Sequence, residues 1–332
     1  MVRLGIIGAG IMGSNHARVL RAIPQAQVCV VVDPDAEKGQ RLADHIGASY
    51  ESRPDVLPER VEGAVVATPA ETHADIAMTL IERGLDVLIE KPIALTVEEA
   101  KELVEAARRH DRILMIGHVE RFNPAIIELG RHVDGLIHVD IRRIGPFTSR
   151  ISTDVVLDLM IHDVDLVNAL VGSEPMVVSS LTRRVWTQTE DIATSFLAYA
   201  NGVSATLTAS RASHTKQRQV ELTQRDNVVV ADLIRQQVTI HRLEQAEIVD
   251  DNGARYRQSG IIEIPYLEHQ GEPLLLEQKH FIDCVLNRTK PMVSGEEGLA
   301  ALVTALRIRE EAVCLGWQGL TAGNAPLRPD AP

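Results

Sequence analysis

A lysine, an aspartate and a histidine stand where their chemistry suits moving a proton to or from an oxygen. Lys91 follows an apolar run at 86–89 and Glu90. An ammonium partly withdrawn from water at a strand end can hydrogen-bond a hydroxyl and stabilise the oxygen as negative charge develops. Most lysines are simply solvated, and Glu90 serves either as an ion-pair partner of Lys91 or as a helix cap. In the second half, Asp158, His162 and Asp165 lie at i, i+4 and i+7 in a stretch that is otherwise largely apolar. On a helix these three form one stripe. A histidine suits proton transfer near neutral pH. Asp158, one turn earlier, is placed to orient His162 and to stabilise its charged form. Two other readings stay open: an Asp–His pair satisfying itself in a core, and a His-Asp-x-Asp metal site. No further ligand cluster accompanies the motif, so no metal is expected.

Gly8-Ala9-Gly10-Ile11-Met12-Gly13 follows the first apolar run and opens a helical stretch. This is the G-x-G-x-x-G pattern in the context it requires. Gly8 permits the tight turn, Gly10 lets a pyrophosphate approach the backbone, and Gly13 lets helix pack on strand. Ile11 and Met12 complete the pattern, and the N-terminus of the helix that follows offers free N–H groups to the phosphates. The same turn can also exist with no ligand. Asp33 ends the second strand at the distance expected for a ribose-binding carboxylate, which favours NAD over NADP. Followed by Pro34, it is equally a helix N-cap, and one carboxylate can do both. Thr68-Pro69, Glu90-Lys91-Pro92 and Gly117-His118 end further apolar runs. Ligands bind at the carboxyl edge of a parallel sheet, so Thr68, Pro69, Glu90, Lys91 and His118 are candidate cofactor contacts. A turn opening a helix is the other reading of Thr68-Pro69.

The elements that position these residues show in the patterning. Runs at 4–7, 28–32, 63–67, 86–89 and 113–116 are unbroken and apolar, as in strands covered on both faces. Helical stretches at 16–23, 36–46, 71–83 and 96–110 alternate with them, the last opened by a Thr96–Glu99 capping box. The alternation implies βαβ units and a doubly wound parallel sheet. Beyond about residue 120 the spacing of strands predicts a large open, mainly antiparallel sheet: 138–144, 177–186, 194–200, 203–210, 217–223, 227–232 and 237–242. Asn201-Gly202 marks a hairpin. Helices are expected at 153–171, 275–286 and 296–315, with a tail at 321–332 that frays. The fold class is therefore α/β, a Rossmann domain at 1–120 followed by an α+β domain at 121–332.

Length and composition agree. Two domains fit 332 residues. With 34 basic and 46 acidic residues the net charge is −12, which argues against a general nucleic-acid or membrane-surface role. Aromatic residues are 3% of the chain, too few for base-stacking platforms. Three cysteines lie far apart without a CxxC pair, so neither a disulfide framework nor a thiolate zinc site is expected. No apolar run is long enough for a transmembrane helix. The N-terminal apolar stretch lacks the small-residue cleavage site of a leader. A cytoplasmic protein is expected.

The glycine fingerprint, Glu90-Lys91-Pro92, the Asp158-x-x-x-His162 motif and the segment Arg121-Phe122-Asn123-Pro124-Ala125 together resemble the Gfo/Idh/MocA oxidoreductases. The likeness covers nearly the whole chain. It implies NAD as cofactor, Lys91, Asp158 and His162 as catalytic residues beside the nicotinamide, and a homodimer or homotetramer assembled through the open sheet. It also implies a last helix that packs back toward the first domain. Segments 117–125, 143–147 and 162–165 most resemble the branch that oxidises C3 of UDP-N-acetylglucosamine to the 3-keto sugar nucleotide. That implies substrate contacts from Lys91, Arg121, Asn123, Arg143, Asp158 and His162. Arg142, Arg150 and Arg211 are further candidates for an anionic substrate. The alternatives are an inositol or free-sugar dehydrogenase, an NAD-recycling glycosidase, and a non-catalytic NAD-binding sensor.

Overall fold

The five unbroken apolar runs become neighbouring parallel strands because both of their faces can be covered. The computed structural model describes residues 1–59, 61–147, 153–242, 246–249, 255–258, 260–268 and 270–315. Arg150 and the tail at 321–332 lie outside them. In chain order the first unit contains β1 (Val2–Ile7), α1 (Ile11–Leu20), β2 (Ala26–Val32), α2 (Ala36–Ile46), β3 (Ser49–Glu51), β4 (Gly63–Val66), α3 (His73–Glu82), β5 (Asp86–Glu90), α4 (Val97–Arg109) and β6 (Leu114–Gly117). The sheet order is β3-β2-β1-β4-β5-β6, with every pairing parallel. All carboxyl ends therefore share one edge, and the chain reverses its winding between β1 and β4. β4, β5 and β6 are buried throughout.

Two local readings are corrected. Helix α1 starts at Ile11 rather than at residue 16, because the glycine turn hands directly into it, and Gly10 accepts the first helical hydrogen bond from Ser14. The N-cap of α2 is Asp35, not Asp33: Asp35 accepts from the N–H of Lys38 at 3.2 Å. The Thr96–Glu99 capping box forms as read.

The second unit contains α5 (Pro124–Arg131), β7 (Leu136–Ile144), α6 (Ile161–Val171), β8 (Val177–Arg183), β9 (Ile192–Ala198), β10 (Ser204–Ser210), β11 (Gln217–Gln224), β12 (Asn227–Asp232), β13 (Gln237–Arg242), β14 (Ala246–Val249), β15 (Arg255–Gln258), β16 (Ile261–Glu263), α7 (Pro273–Asn287), α8 (Gly295–Glu310) and β17 (Ala312–Leu315). β14 and β15 form a separate hairpin. The others build a sheet in the order β16-β13-β12-β11-β7-β10-β9-β8-β17. Pairing is antiparallel except at β7/β10 and β8/β17. Alternate residues of β8 and β9 are buried or exposed, so one face packs on helices and the other is open. The Asn201-Gly202 hairpin is present, with Gly202 at φ +86°.

Two departures matter for the site. The helix expected over 153–171 begins with a π turn at Val156–Met160, closed by Ile161 N–H on Val156 O. Asp154 caps this turn, its carboxylate accepting from the N–H groups of Val156 and Leu157. The last helix ends at Glu310, and 312–315 instead pairs with β8 as an edge strand. Helix α8 lies on the first sheet: a side chain at Gly295 would strike Leu114 and one at Gly298 would strike Ile116. Ile116 N–H also donates to Val293 O. The same helix packs on α6, so it fixes the histidine-bearing helix relative to β6. Among the described residues no helix is long and apolar enough to cross a membrane.

Candidate active site

The glycine turn is built for a ligand to reach its backbone. Gly8 sits at φ +97°, and a Cβ there would lie 2.5 Å from Ala67 O. A Cβ on Gly13 would lie 1.8 Å from Gly8 O. Those two glycines serve the protein's own packing. A Cβ on Gly10, by contrast, would meet no protein atom within 4 Å, which leaves that side open for approach. The N–H groups of Ile11, Met12 and Gly13 precede the first intrahelical bond. The Ile11 and Met12 side chains are exposed at the same mouth. Asp33 Oδ2 accepts from Ala9 N–H at 2.7 Å and Oδ1 from Asp35 N–H at 2.8 Å. A carboxylate has about four acceptor positions, so capacity remains for ribose hydroxyls. These residues fit a dinucleotide.

Buried polar groups fix the neighbouring strand ends. The His73 ring nitrogens lie 2.8 Å from Pro92 O and 2.9 Å from Thr68 O, tying the turns after β5 and β4 together. Thr68 also meets Thr72 Oγ1 at 2.8 Å, in the turn that opens the helix beyond. Behind Lys91, His16 Nε2 stands 2.8 Å from Glu90, and Gln278 donates to His16 Nδ1 at 2.8 Å. Burial pushes the Glu90 carboxyl up, but the His16 hydrogen bond and the nearby positive charges outweigh it and hold Glu90 below its ordinary value. Glu277 is fully buried, neither of its oxygens has a partner among the described residues, and burial and the charge of Glu90 drive it well above its ordinary value.

Lys91 reaches across to the second unit. Its Nζ donates to the main-chain oxygen of Asp158 at 2.5 Å and lies 3.5 Å from Asp158 Oδ1. The expected Asp158–His162 hydrogen bond is not formed among the described residues. The π turn displaces Asp158 from the helical i, i+4 register, so it faces Lys91. Asp165, read as part of the same stripe, faces Arg121 at 3.5 Å instead. Among the described residues Asp158 Oδ2 and His162 Nδ1 have no partner. The His118 ring packs edge-on against His162, centroids 5.7 Å apart and planes at 90°. Burial first, then the charges of Lys91 and Arg143, lower His162 well below the usual histidine range. Burial, with Lys91 and Arg121, lowers His118 to about 3. Both rings are neutral at physiological pH. Neutral His162 is a proton acceptor, Lys91 a fixed positive donor, and Asp158 a group that positions Lys91.

Several expected substrate contacts prove to be supports. Arg143 is buried and donates to Asp163 Oδ1 at 2.8 and 2.7 Å and to Glu120 Oε1 at 2.7 Å. Burial opposes its charge, but Asp163 and Glu120 hold it above its ordinary value. Asn123 is buried, capping α5 and donating to Leu233 O. Arg211 is buried against Asp191. Arg142 is exposed on β7, one residue out of phase with the buried Arg143. Only Arg121 keeps loose partners, Asp165 and Met292 O at 3.4 Å. The sequence reading missed Arg218, one-third exposed and donating to Glu120 at 2.9 Å. It stands opposite Arg143 in the β7/β11 register. Glu120, Glu277 and Gln278 were also missed. Their one signal is polarity at positions that an apolar helix or turn buries.

Comparison with known proteins is consistent with this geometry. Residues 2–118 match the model of an oxidoreductase family with an NAD-binding Rossmann fold. Residues 131–229 match the GFO/IDH/MocA C-terminal domain. The chain is 29% identical over 310 residues to UDP-N-acetylglucosamine 3-dehydrogenase of Acidithiobacillus ferrooxidans, covering 93% of this chain and 96% of the relative. The solved structure of that enzyme superposes with a TM-score of 0.85, covering 94% of this chain and 97% of that one. The scyllo-inositol 2-dehydrogenase (NAD(+)) of Bacillus subtilis is 27% identical, covering 90% and 93%. GenD2 from gentamicin A biosynthesis, solved in complex with NAD, is 25% identical with a TM-score of 0.77, covering 93% of each chain.

Proposed function

Because the chain belongs to the Gfo/Idh/MocA family of NAD-binding oxidoreductases, we propose that it oxidises C3 of UDP-N-acetylglucosamine to the 3-keto sugar nucleotide. The observation that carries this reading is the reach of Lys91 from the end of β5 to Asp158, on the helical segment that bears His162. An ammonium from one unit of the chain thus lies close enough to a neutral imidazole of the other for its charge to lower that imidazole's basicity.

NAD would be held at the open side of Gly10, by the N–H groups of Ile11, Met12 and Gly13, and by Asp33, and would supply the hydride acceptor. The hydroxyl proton passes to an unpartnered nitrogen of His162, which is neutral and able to take it. Lys91 Nζ holds the oxygen as negative charge gathers on it. Asp158 holds Lys91 through one main-chain and one side-chain oxygen. Arg121 and Arg218, partly exposed cations near this cluster among the described residues, are the groups for a diphosphate. Asp33 selects NAD over NADP, so Asp33→Ala narrows the ratio of the two affinities.

The full-length likeness to the scyllo-inositol enzyme favours one alternative, oxidation of a cyclitol. NADH appearance with UDP-N-acetylglucosamine, myo-inositol, glucose and an aryl glycoside decides between them, with product analysis. The proposal requires NADH and a 3-keto product from the sugar nucleotide. NADH from a cyclitol alone would replace it with the second reading. Aryl glycoside cleavage without net NADH would indicate a recycling glycosidase, and silence with all four an NAD-binding sensor.

The same reading places the protein in the cytoplasm as a homo-oligomer. Three free cysteines suit a reducing compartment. The open sheet face exposes Val177, Leu181 and Phe196, apolar surface suited to a second copy of the chain.

A further inference from the structure

His118 has no partner that explains its burial. It is 1% exposed, and neither ring nitrogen has a hydrogen-bond partner among the described residues. An imidazole left in that state is unfavourable by the desolvation of both polar atoms. It has no carboxylate hydrogen-bonded to it among the described residues and feels the charges of Lys91 and Arg121, so it is neutral and presents one N–H donor and one lone pair.

Its position decides what it serves. The sheet order puts β6 three strands beyond β1, at about 4.8 Å per strand. A dinucleotide crosses such a sheet at the β1/β4 reversal, with its phosphates on the α1 N-terminus. His118 lies at the far edge, past Lys91, with its ring against His162 of the second unit. That is the substrate side of the cleft, where Lys91 and His162 already take the oxygen that reacts. We propose that His118 is a substrate-recognition residue, its ring nitrogens hydrogen-bonding the polar substituent on a carbon next to the one oxidised. This replaces the cofactor contact expected from its strand-end position, and it rests on the sugar-nucleotide reading above.

The test uses the whole protein with saturating NAD and three substrates: UDP-N-acetylglucosamine, its 4-deoxy analogue, and UDP-glucose, which bears a hydroxyl in place of the acetamido group. His118→Phe keeps a ring against His162 and removes both nitrogens. His118→Gln keeps a donor and an acceptor. NAD affinity is followed by fluorescence titration. For His118→Phe the expected results are an NAD Kd within about twofold of wild type and a kcat/KM on the sugar nucleotide lower by about 10- to 100-fold, mostly through KM. On one of the two analogues the loss shrinks to a few-fold, because the group that the ring held is gone or altered. His118→Gln recovers part of the loss. An NAD Kd that rises in step would make the ring a cofactor contact, and an equal loss on all three substrates or none on any would make it structural. Each of these overturns the proposal. Failure of the wild-type chain to oxidise any sugar nucleotide would overturn the activity reading and this proposal with it, whereas an active wild type with an indifferent His118→Phe overturns this proposal alone.

Discussion

At the β1–α1 turn the groups that face a ligand are main-chain N–H donors and a glycine with open space beside it. Across the cleft they are side chains: Lys91, Asp158, His162 and His118. The first region has one carboxylate behind it, Asp33, which accepts from Ala9 N–H, and no ion-pair network among the described residues. Gly8 and Gly13 shape it by close approach of backbone to backbone. The second needs Arg143, Glu120, Asp163 and Arg218 beneath it, a nearly closed set of ion pairs. The difference teaches that one end of the cleft is a product of chain geometry and the other of charge balance. The two should therefore fail in different ways.

The largest effect is expected where charge balance is removed. Arg143→Met leaves Asp163 and part of Glu120 buried without their counter-ion, and breaking such a pair costs about 3–5 kcal/mol. Urea unfolding of the unliganded protein should show a loss of that size. A loss under about 1 kcal/mol would mean that the cluster does not hold the substrate side together. At the glycine turn the contrast sharpens. Gly13→Ala drives a methyl into Gly8 O and should destabilise the free protein by about 1–3 kcal/mol. Gly10→Ala meets no protein atom, so the free protein should keep its Tm while NAD binding weakens. Equal Tm losses in the two variants would erase the distinction.

The smallest effects are in pH. His162 is depressed by burial and by neighbouring positive charge, so the acid limb of kcat/KM should lie below pH 6.5, the ordinary histidine value. Lys91→Met removes one of those charges and should move the limb of its residual activity upward. A limb that moves down would contradict the assignment. Stability has the same sign. The unfolded chain takes up a proton at His118 between about pH 6.5 and about 3, where the folded ring does not. Stability contributed above that window is therefore lost as pH falls through it. His118→Phe should flatten this part of the unfolding profile.

How much the sequence revealed follows the same division. The glycine turn was legible because its six residues are contiguous and each has a steric job. The Thr96–Glu99 box and the Asn201-Gly202 hairpin were legible for the same reason. Lys91, Asp158 and His162 were legible as types, from polarity at strand ends and on an apolar helix. Their pairing was not, because a single π turn redirects Asp158 from His162 to Lys91. Arg143 and Asn123 looked like ligand contacts and turned out to be supports. Their burial depends on the β7/β11 register and on α5, which no local pattern specifies. His16 and Gln278 meet across 262 residues of chain.

The account rests on Lys91 and His162 acting on one hydroxyl from opposite sides of the cleft. Single-turnover NADH formation by NAD-saturated Lys91→Ala and His162→Ala, beside wild type, tests it most directly. The predicted result is a rate lower by about 10²–10⁴ for His162→Ala, a comparable loss for Lys91→Ala, and an unchanged NAD Kd for His162→Ala. A rate within a few-fold of wild type for either variant would contradict it.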